Sequence, residues 1–301
     1  MSSPSSAAAP ETIRIAAAAK LNLYLHVVGR RADGYHRLDS LVAFASVHDT
    51  IEVGPASTLS LELAGPGAGA LGAEPDNLVL RAARRLAEIA GVAPRATLRL
   101  TKRLPVASGI GGGSADAAAT LKALVRLWRL EPDDGSLRAL ALDLGADVPM
   151  CLLGRAAFAG GVGEELAPVD ALPGAGLVLV NPGIALPTAD VFKARKGPFS
   201  DSARFEGTPR SVSELATRLA ERRNDLAAPA IALCPEIGRV LAALEAAPDA
   251  RLARMSGSGA TCFALFDDEA AAERAAARLQ RPGWWTVAAR LVSDTATLRP
   301  E

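Results

Sequence analysis

The stretch of the sequence with the clearest capacity for chemistry covers residues 108–114, which read Ser-Gly-Ile-Gly-Gly-Gly-Ser. Glycines let the backbone turn tightly and approach a ligand closely, because no side chain stands in the way. The apolar spacing that follows predicts a helix with Ser114 as its N-cap. A helix N-terminus presents unpaired N–H groups and a positive dipole end, which favour phosphate. The pattern indicates a phosphate loop; an ordinary flexible connection before a helix is the alternative.

Two familiar phosphate motifs do not fit this loop. A P-loop ends in Gly-Lys-Ser/Thr, and the first lysine after Gly113 is Lys122, well inside the helix. The dinucleotide fingerprint fails because its sixth position is Ser114 and because residues 101–105 separate the loop from the predicted strand over 96–100. A phosphate site here would therefore be of another type.

Asp147 is a second candidate for chemistry. It is the only charged residue within 144–154, and a carboxylate in such apolar sequence either caps a helix or takes part in chemistry. Lys20 could be its partner, because a lysine keeps a buried aspartate ionised. The predicted strand over 20–28 is half-buried and would place Lys20 on the same face as the polar residues Asn22, Tyr24 and His26.

The polar loop over 29–38 contains the aromatic pair Tyr35 and His36. Loops commonly carry binding residues, so this pair is a candidate ligand contact. A turn with a packed tyrosine is the alternative, and the residues themselves leave both open.

Composition limits the class of protein. A chain of 301 residues is long enough for two domains, and its 33 basic and 33 acidic residues give no net charge that would favour nucleic acid or a membrane surface. Three distant cysteines fit neither a disulfide framework nor a zinc site, and are expected as thiols in a reducing, cytoplasmic compartment. Residues 1–11 are expected to form a disordered tail, and no apolar run has the length of a membrane span.

The remaining pattern predicts an α+β protein of two domains, over 12–165 and 166–301. Strands are predicted over 12–18, 41–53, 59–63, 177–180, 253–256, 261–266 and 284–291. Helices are predicted over 77–89, 136–144, 188–194, 211–222, 235–246 and 267–279. The caps would be Asp76 or Asn77 after a turn at 74–76, then Ser136 and Thr188. In the second domain the helices should cover one face of the sheet, and the loop over 196–210 should be mobile.

Several separated segments resemble one family, the kinases named for galactose, homoserine, mevalonate and phosphomevalonate. The segments cover residues 19–23, 33–36, 105–116, 145–149, 224–226 and 255–260, in the family's order. One departure is Ala115, where many members carry a second serine. The resemblance therefore assigns contact with phosphate or magnesium to the hydroxyl of Ser114 alone.

The resemblance implies an N-terminal domain like the second domain of ribosomal protein S5, a ferredoxin-like C-terminal domain, and an active site in the cleft between them. It implies that Asp147 accepts the proton of the attacking hydroxyl, while Lys20 keeps Asp147 ionised and stabilises the transferred charge. ATP with magnesium is implied, although no carboxylate cage for the metal is visible. The implied ATP contacts are Asn77, Lys102, Pro105, Val106, Ala107, Ser108, Gly109, Ile110, Gly111, Gly112, Gly113 and Ser114.

The resemblance also implies a small-molecule substrate, a cytidine diphosphate derivative of methylerythritol, phosphorylated on its 2-hydroxyl in non-mevalonate isoprenoid biosynthesis. Tyr35, His36 and Phe192 would hold the cytidine. The other implied substrate contacts are Asn22, Thr188, Gly257, Ser258 and Gly259. The enzyme would be a monomer or weak homodimer. The alternatives are a sister kinase acting on homoserine or mevalonate, against which the Tyr35-His36 segment argues, and a non-catalytic metabolite sensor, which need not keep both Lys20 and Asp147.

Overall fold

A computed structural model describes residues 12–71 and 77–300. The predicted tail over 1–11, the turn at 74–76 and the alternative cap Asp76 lie outside the described residues. Within the described part, no helix combines the length and apolar character needed to cross a membrane.

The N-terminal half is built on a long antiparallel hairpin. Strand β1 (Ile13–Arg30) pairs with β2 (His36–Gly54), with shifts in register at Ala18/Lys20, Asn22/Tyr24 and Val27/Gly29. The sequence predicted separate strands over 12–18 and 20–28, because the alternation of apolar residues breaks between them. In the structure both segments belong to β1, because a shift in register accommodates the break without ending the pairing with β2. The expectation that this strand is half-buried was wrong, because Lys20, Asn22, Tyr24 and His26 are all at most 6% exposed.

Further strands extend the sheet along β2. Strand β3 (Ser60–Ala64) runs parallel to β4 (Thr97–Thr101), which pairs antiparallel with the end of β2. A hairpin of β5 (Ala157–Gly160) and β6 (Glu165–Pro168) pairs with β2 at Ser40–Val42. This hairpin was not predicted, because four-residue strands offer little periodicity.

Helices α1 (Leu78–Ala90), α2 (Gly112–Leu127), α3 (Asp134–Leu144) and α4 (Val148–Leu153) share a core with strands β1, β2 and β4. Asn77 caps α1 as predicted. Ser114 does not cap α2, because the helix already begins at Gly112, after the left-handed Gly111. Asp133 caps α3 in place of Ser136, since its carboxylate accepts the Ser136 backbone N–H at 2.9 Å. Helix α4 was not predicted.

The C-terminal half contains an antiparallel sheet of β7 (Gly176–Asn181), β8 (Leu252–Met255), β9 (Cys262–Phe266) and β10 (Trp285–Val292) in the order β10-β7-β9-β8. Its helices are α5 (Thr188–Ala194), α6 (Val212–Ala220), α7 (Ala227–Leu233), α8 (Glu236–Glu245) and α9 (Glu269–Arg278). Strand β10 also pairs with β2 at Leu291–Ala45, which joins the two halves through hydrogen bonds.

Helices lie on both faces of this sheet. Alternate residues of β7 and β9 pack with α7, α8 and α9 on one face. On the other face, Leu179 and Phe263 share a core with Leu215 of α6 and with β1. The prediction that helices cover only one face of this sheet was therefore wrong. The central strands are apolar on both faces, so their sequence does not show how many faces the helices cover.

Polar contacts fasten the loop over 196–210, which was expected to be mobile. The Ser200 backbone N–H donates to the Val27 carbonyl at 2.9 Å, and its hydroxyl donates to Asp225 at 2.6 Å. Asp39 accepts the Ala203 backbone N–H at 2.7 Å. The loop is thus attached to the β1–β2 hairpin at several points.

Candidate active site

A cleft of about 1050 Å³ lies between the two halves. It is lined by the glycine loop before α2, by strand β1, by helix α5 and by the turn between β8 and β9. Most of the predicted site residues face this cleft: Lys20, Asn22, Tyr35, His36, Ala107, Ser108, Gly109, Gly111, Gly112, Gly113, Ser114, Asp147, Thr188, Phe192, Gly257 and Ser258.

Lys20 and Asp147 form an ion pair in this cleft. The Nζ atom of Lys20 lies 3.0 Å from Oδ2 of Asp147. The lysine side chain is only 4% exposed, whereas the aspartate side chain is 46% exposed. The expectation of a buried aspartate was therefore wrong, because only its lysine partner is buried. An open carboxylate beside a buried cation can receive a proton from a group in the cleft.

The position of Asp147 at the start of α4 raised the alternative of a helix cap. Its backbone occupies the N-cap position, but its side chain makes no capping hydrogen bond. Pro149 lies in the first turn and has no N–H to satisfy, which reduces the need for a cap. The carboxylate is thus left facing Lys20 and the cleft.

Asn22 orients Lys20 from the neighbouring position on β1. Its Oδ1 atom accepts a hydrogen bond from Lys20 Nζ at 2.9 Å, and its amide donates to the Ser40 hydroxyl at 2.8 Å. The register of β1 shifts between Ala18 and Lys20, and both Lys20 and Asn22 line the cleft. The lysine ammonium consequently has two fixed acceptors, one of which is Asp147.

The glycine loop passes directly over this ion pair. Gly109 and Gly111 have φ values of 74° and 64°, in the left-handed region that glycine adopts readily. A Cβ atom on Gly111 would lie 3.2 Å from Lys20 Cε and 3.8 Å from Asp147 Oδ2. Since α2 begins just after this loop, its free N–H groups and dipole end lie beside the catalytic candidates.

The second glycine turn, over 257–259, supports the first. The Ser256 hydroxyl donates to the Gly109 carbonyl at 3.2 Å and accepts the Asn22 backbone N–H at 3.1 Å. The Thr261 backbone N–H donates to the Ser108 carbonyl at 3.0 Å. Gly259 lies behind Gly109 and does not face the cleft, so its predicted contact with substrate is replaced by a contact with the first loop.

Asn224 fixes this second turn, a role that was not predicted. Its amide donates to the carbonyls of Met255 and Gly257, both at 2.8 Å, and its Oδ1 accepts the Leu226 backbone N–H at 2.9 Å. The resemblance to the kinase family includes residues 224–226, and this match was the one sequence feature that pointed to Asn224. Asn224 is a structural support for the turn.

An aromatic pair lies at another part of the cleft. The rings of His36 and Phe192 stack with centroids 5.0 Å apart and planes inclined by 21°. Tyr35 is 63% exposed. Burial, with smaller effects from the Arg30 and Arg195 guanidinium groups, lowers the pKa of His36 below its ordinary value. A neutral imidazole can both donate and accept hydrogen bonds at a base edge.

Helix α5 connects the aromatic pair to the second glycine turn. Thr188 and Phe192 are four residues apart and therefore share a helix face. The Thr188 hydroxyl lies 2.8 Å from the Ser258 hydroxyl. Thr188 does not cap α5, because the N-cap position belongs to Pro187.

Several predicted contacts do not line the cleft: Asn77, Lys102, Pro105, Val106, Ile110 and Gly259. The side chain of Asn77 caps α1, accepting the Val79 N–H at 2.9 Å. The Ile110 side chain is buried, while its carbonyl accepts the Lys20 backbone N–H at 2.9 Å. Ile110 thus fixes the glycine loop to β1, and Asn77 belongs to the start of α1.

Lys102 requires a clearer correction, because its side chain is turned away from the cleft and is 1% exposed. Its Nζ lies 2.5 Å from Oδ2 of Asp49 and 2.7 Å from Oδ2 of Asp116. The ammonium is thus held by two buried acidic side chains on the side of the loop that faces away from the cleft. The sequence did not reveal this arrangement, because Asp49 lies on a different strand.

Three cations in the cleft were missed by the sequence reasoning: Arg30, Lys193 and Arg195. Among the described residues none of the three forms an ion pair, whereas Lys20 pairs with Asp147. Arg195 is held by the carbonyl of Pro198 at 2.5 Å. The cleft is thus lined by more positively than negatively charged side chains, which suits phosphorylated ligands.

The side chains of the cleft offer few ligands for magnesium. Across 12–71 and 77–300, no group of three or more His, Cys, Asp or Glu side chains could hold a metal ion. The carboxylates that line the cleft are Asp33 and Asp147. Mg²⁺ commonly uses one or two carboxylates together with phosphate oxygens and water. The cleft therefore fits a magnesium ion that arrives with a nucleotide, and not a protein-built cage.

Comparison with known proteins gives a consistent result. The family described as GHMP kinases N terminal domain matches residues 77–155, and that described as GHMP kinases C terminal matches residues 202–283. A 4-diphosphocytidyl-2-C-methyl-D-erythritol kinase of Paramagnetospirillum magneticum is 57% identical over 281 residues, covering 93% of this chain and 98% of that protein. A Rhodospirillum rubrum protein of the same name is 54% identical over 290 residues, covering 96% of this chain and 95% of that protein.

Solved structures agree with these relatives. A crystal structure of a 4-(cytidine 5'-diphospho)-2C-methyl-D-erythritol kinase has a TM-score of 0.77 at 39% identity, covering 93% of this chain and 99% of that chain. A homoserine kinase from Cytophaga hutchinsonii has a TM-score of 0.67 at 17% identity, covering 98% of each chain, which shows a shared fold. This chain therefore belongs to the 4-diphosphocytidyl-2-C-methyl-D-erythritol kinase family, within the GHMP kinases.

Proposed function

We propose that this protein transfers the γ-phosphoryl group of ATP to the 2-hydroxyl of 4-diphosphocytidyl-2-C-methyl-D-erythritol, in non-mevalonate isoprenoid biosynthesis. The observation that carries the proposal is the Lys20–Asp147 pair, 3.0 Å apart, directly beneath a glycine loop that opens a helix. Phosphoryl transfer needs positioning and charge stabilisation, and these elements supply both.

Asp147 is proposed as the base that accepts the proton of the attacking hydroxyl. Its side chain is half-exposed to the cleft, so a hydroxyl can approach within hydrogen-bonding distance. Lys20 lies 3.0 Å from Asp147 and stabilises negative charge on the transferred group. Asn22 holds the lysine ammonium in this position through its 2.9 Å hydrogen bond.

The glycine loop is proposed to bind the ATP phosphates. The N–H groups of 111–114 lie at the positive end of α2, where anions are stabilised. Magnesium bound with the nucleotide would supply charge neutralisation between its phosphates. In this proposal the Ser114 hydroxyl, which faces the cleft, contacts phosphate or the metal.

The stacked pair of His36 and Phe192, with the exposed Tyr35, is proposed to bind the cytidine. Flat aromatic faces suit a base, and the neutral imidazole of His36 can pair with a base edge. Thr188 and Asn22 would contact the methylerythritol between the base site and Lys20. Binding of the base would thus hold the distant hydroxyl beside Asp147.

We also propose that the C-terminal half is ferredoxin-like and that the N-terminal half resembles the second domain of ribosomal protein S5. The sheet order β10-β7-β9-β8, with α9 between β9 and β10, supports the first assignment. The domain boundary is better placed after Pro168 than at 165/166, because β6 pairs with β5 and belongs with the N-terminal sheet.

A turnover screen with ATP tests the substrate assignment. The purified protein would be incubated with the cytidylated methylerythritol, with methylerythritol 4-phosphate, with homoserine and with mevalonate, and each product mass recorded. We expect phosphorylation of the cytidylated compound at a far higher kcat/KM than of the others. Equal turnover of methylerythritol 4-phosphate would contradict the cytidine site, and preference for homoserine or mevalonate would indicate a sister kinase.

A further inference from the structure

The glycine loop is anchored at both ends by one buried cluster of charges, formed by Asp49, Lys102 and Asp116. All three residues are at most 3% exposed. They come from β2, from the residue just after β4, and from the first part of α2. Residues 103–111, which contain the first part of the glycine loop, connect Lys102 after β4 to helix α2. The cluster therefore lies at both ends of this connection.

Asp49 holds the start of the loop. Its Oδ1 atom accepts the backbone N–H of Arg103 at 2.5 Å and that of Leu104 at 2.9 Å. Its Oδ2 atom accepts from Lys102 Nζ at 2.5 Å. One carboxylate thus fixes two consecutive peptide groups and orients the lysine, and it does so from a strand at the centre of the sheet.

Asp116 holds the end of the loop. Its Oδ2 atom accepts from Lys102 Nζ at 2.7 Å, which links the first turns of α2 to Asp49 through the lysine. The fit around Lys102 is close, since a Cβ atom on Gly112 would lie 3.2 Å from Nζ. The ammonium therefore lies directly behind the part of the loop whose other side faces the cleft.

We propose that Lys102 is a positioning residue for nucleotide binding, which acts through Asp49 and Asp116 to hold the glycine loop in its phosphate-binding conformation. The lysine does not touch the ligand. It bridges Asp49, which binds the start of the loop, and Asp116, which lies in the helix at the end of the loop, and hydrogen bonds donated by a charged ammonium are stronger than those between neutral groups. This inference rests on the proposed ATP site at the glycine loop.

The test is the affinity of the full-length protein for a non-hydrolysable ATP analogue, measured by calorimetry in wild type and in Lys102→Met. We expect the dissociation constant to rise by about 10-fold to 100-fold, because a displaced loop would lose about one or two hydrogen bonds to the charged phosphates, each worth about tenfold in affinity. The KM of the alcohol substrate should change much less than the KM of ATP. Asp116→Asn, which keeps an oxygen for the lysine, should bind the analogue nearly as wild type does.

Lys122→Met is the matched control. Lys122 also lies on α2 and is partly buried, but its Nζ donates to the Cys151 carbonyl at 3.2 Å, away from the glycine loop. The two methionine variants are compared in their free energy of unfolding and in their affinity for the analogue. If both quantities fall by the same amount in the two variants, the role of Lys102 is structural only and the proposal is wrong. Where Lys102→Met does not fold, Asp49→Asn replaces it, with the same expected selective loss of analogue affinity, because both oxygens of Asp49 accept hydrogen bonds and an amide can replace only one of them. A wild-type protein that binds no analogue would instead overturn the ATP site itself.

Discussion

Gly109 and Gly259 touch across the interface between the two glycine turns, so closely that a Cβ atom on Gly109 would collide with the Gly259 carbonyl oxygen. Gly109 also has a φ of 74°, which alanine adopts only with strain. We expect Gly109→Ala to lower the free energy of unfolding by about 2 kcal/mol or more. Urea denaturation checks this. A variant as stable as wild type would show that the two turns are not in firm contact.

Gly113→Ala separates the structural glycines from those that face a ligand. A Cβ atom at Gly113 would meet no protein atom within 4 Å, and the residue lies in the first turn of α2, facing the cleft. Stability should stay unchanged or rise by up to about 1 kcal/mol. The KM for ATP should nevertheless increase, because the methyl group occupies space that the phosphates need. An unchanged KM would place the phosphates elsewhere.

Asp116→Asn should change how stability depends on pH. Burial raises the pKa of Asp116 to about 8 even though Lys102 opposes this, and nearby Asp49 adds to the rise. Between the ordinary value of 3.8 and about 8, the folded protein keeps a proton that the unfolded chain releases. The contribution of Asp116 to the free energy of unfolding of the wild type therefore falls as pH rises through that range.

The asparagine variant cannot make this contribution, so its stability relative to wild type should increase with pH, by at most about 1.4 kcal/mol per pH unit. Urea denaturation of both proteins at several pH values between 5 and 8 measures the difference. The comparison cancels the titration of groups common to both. A difference that stays constant with pH would mean that Asp116 is ionised throughout.

Much of the fold and the central pair were accessible from sequence because local signals were strong. Glycine spacing identified the loop, and the isolation of Asp147 in an apolar stretch pointed to the partner Lys20. The Asp49–Lys102–Asp116 cluster was inaccessible, since no local pattern records that β2, β4 and α2 meet. For the same reason the sequence does not reveal that Lys102 is buried behind the loop or that both faces of β1 are buried.

Tyr35→Ala tests the site proposed for the base. Stacking on an aromatic side chain is worth about 1–3 kcal/mol per base, so the KM of the cytidylated substrate should rise while that of ATP stays the same. Ile89→Ala is the control, because Ile89 is also exposed, at 47%, but lies on α1 and does not line the cleft. An increase in the KM for ATP with Tyr35→Ala would assign the tyrosine to the nucleotide instead.

Lys20→Met keeps the length of the buried side chain and removes its charge. We expect a loss in kcat, because Asp147 loses the cation 3.0 Å away and the transferred group loses its stabilising charge. In combination with Asp147→Asn, the total loss should be smaller than the product of the separate losses, since the two residues act together. Losses that multiply fully would indicate independent roles.

The most direct test of the mechanism is the turnover of Asp147→Asn with ATP and the cytidylated methylerythritol. The amide keeps the shape of the carboxylate but cannot accept the proton of the attacking hydroxyl. We expect kcat to fall by about 10²–10⁴-fold, with the affinity for an ATP analogue and the free energy of unfolding nearly unchanged. Turnover at the wild-type rate in a folded Asp147→Asn protein would contradict the assignment of Asp147 as the base.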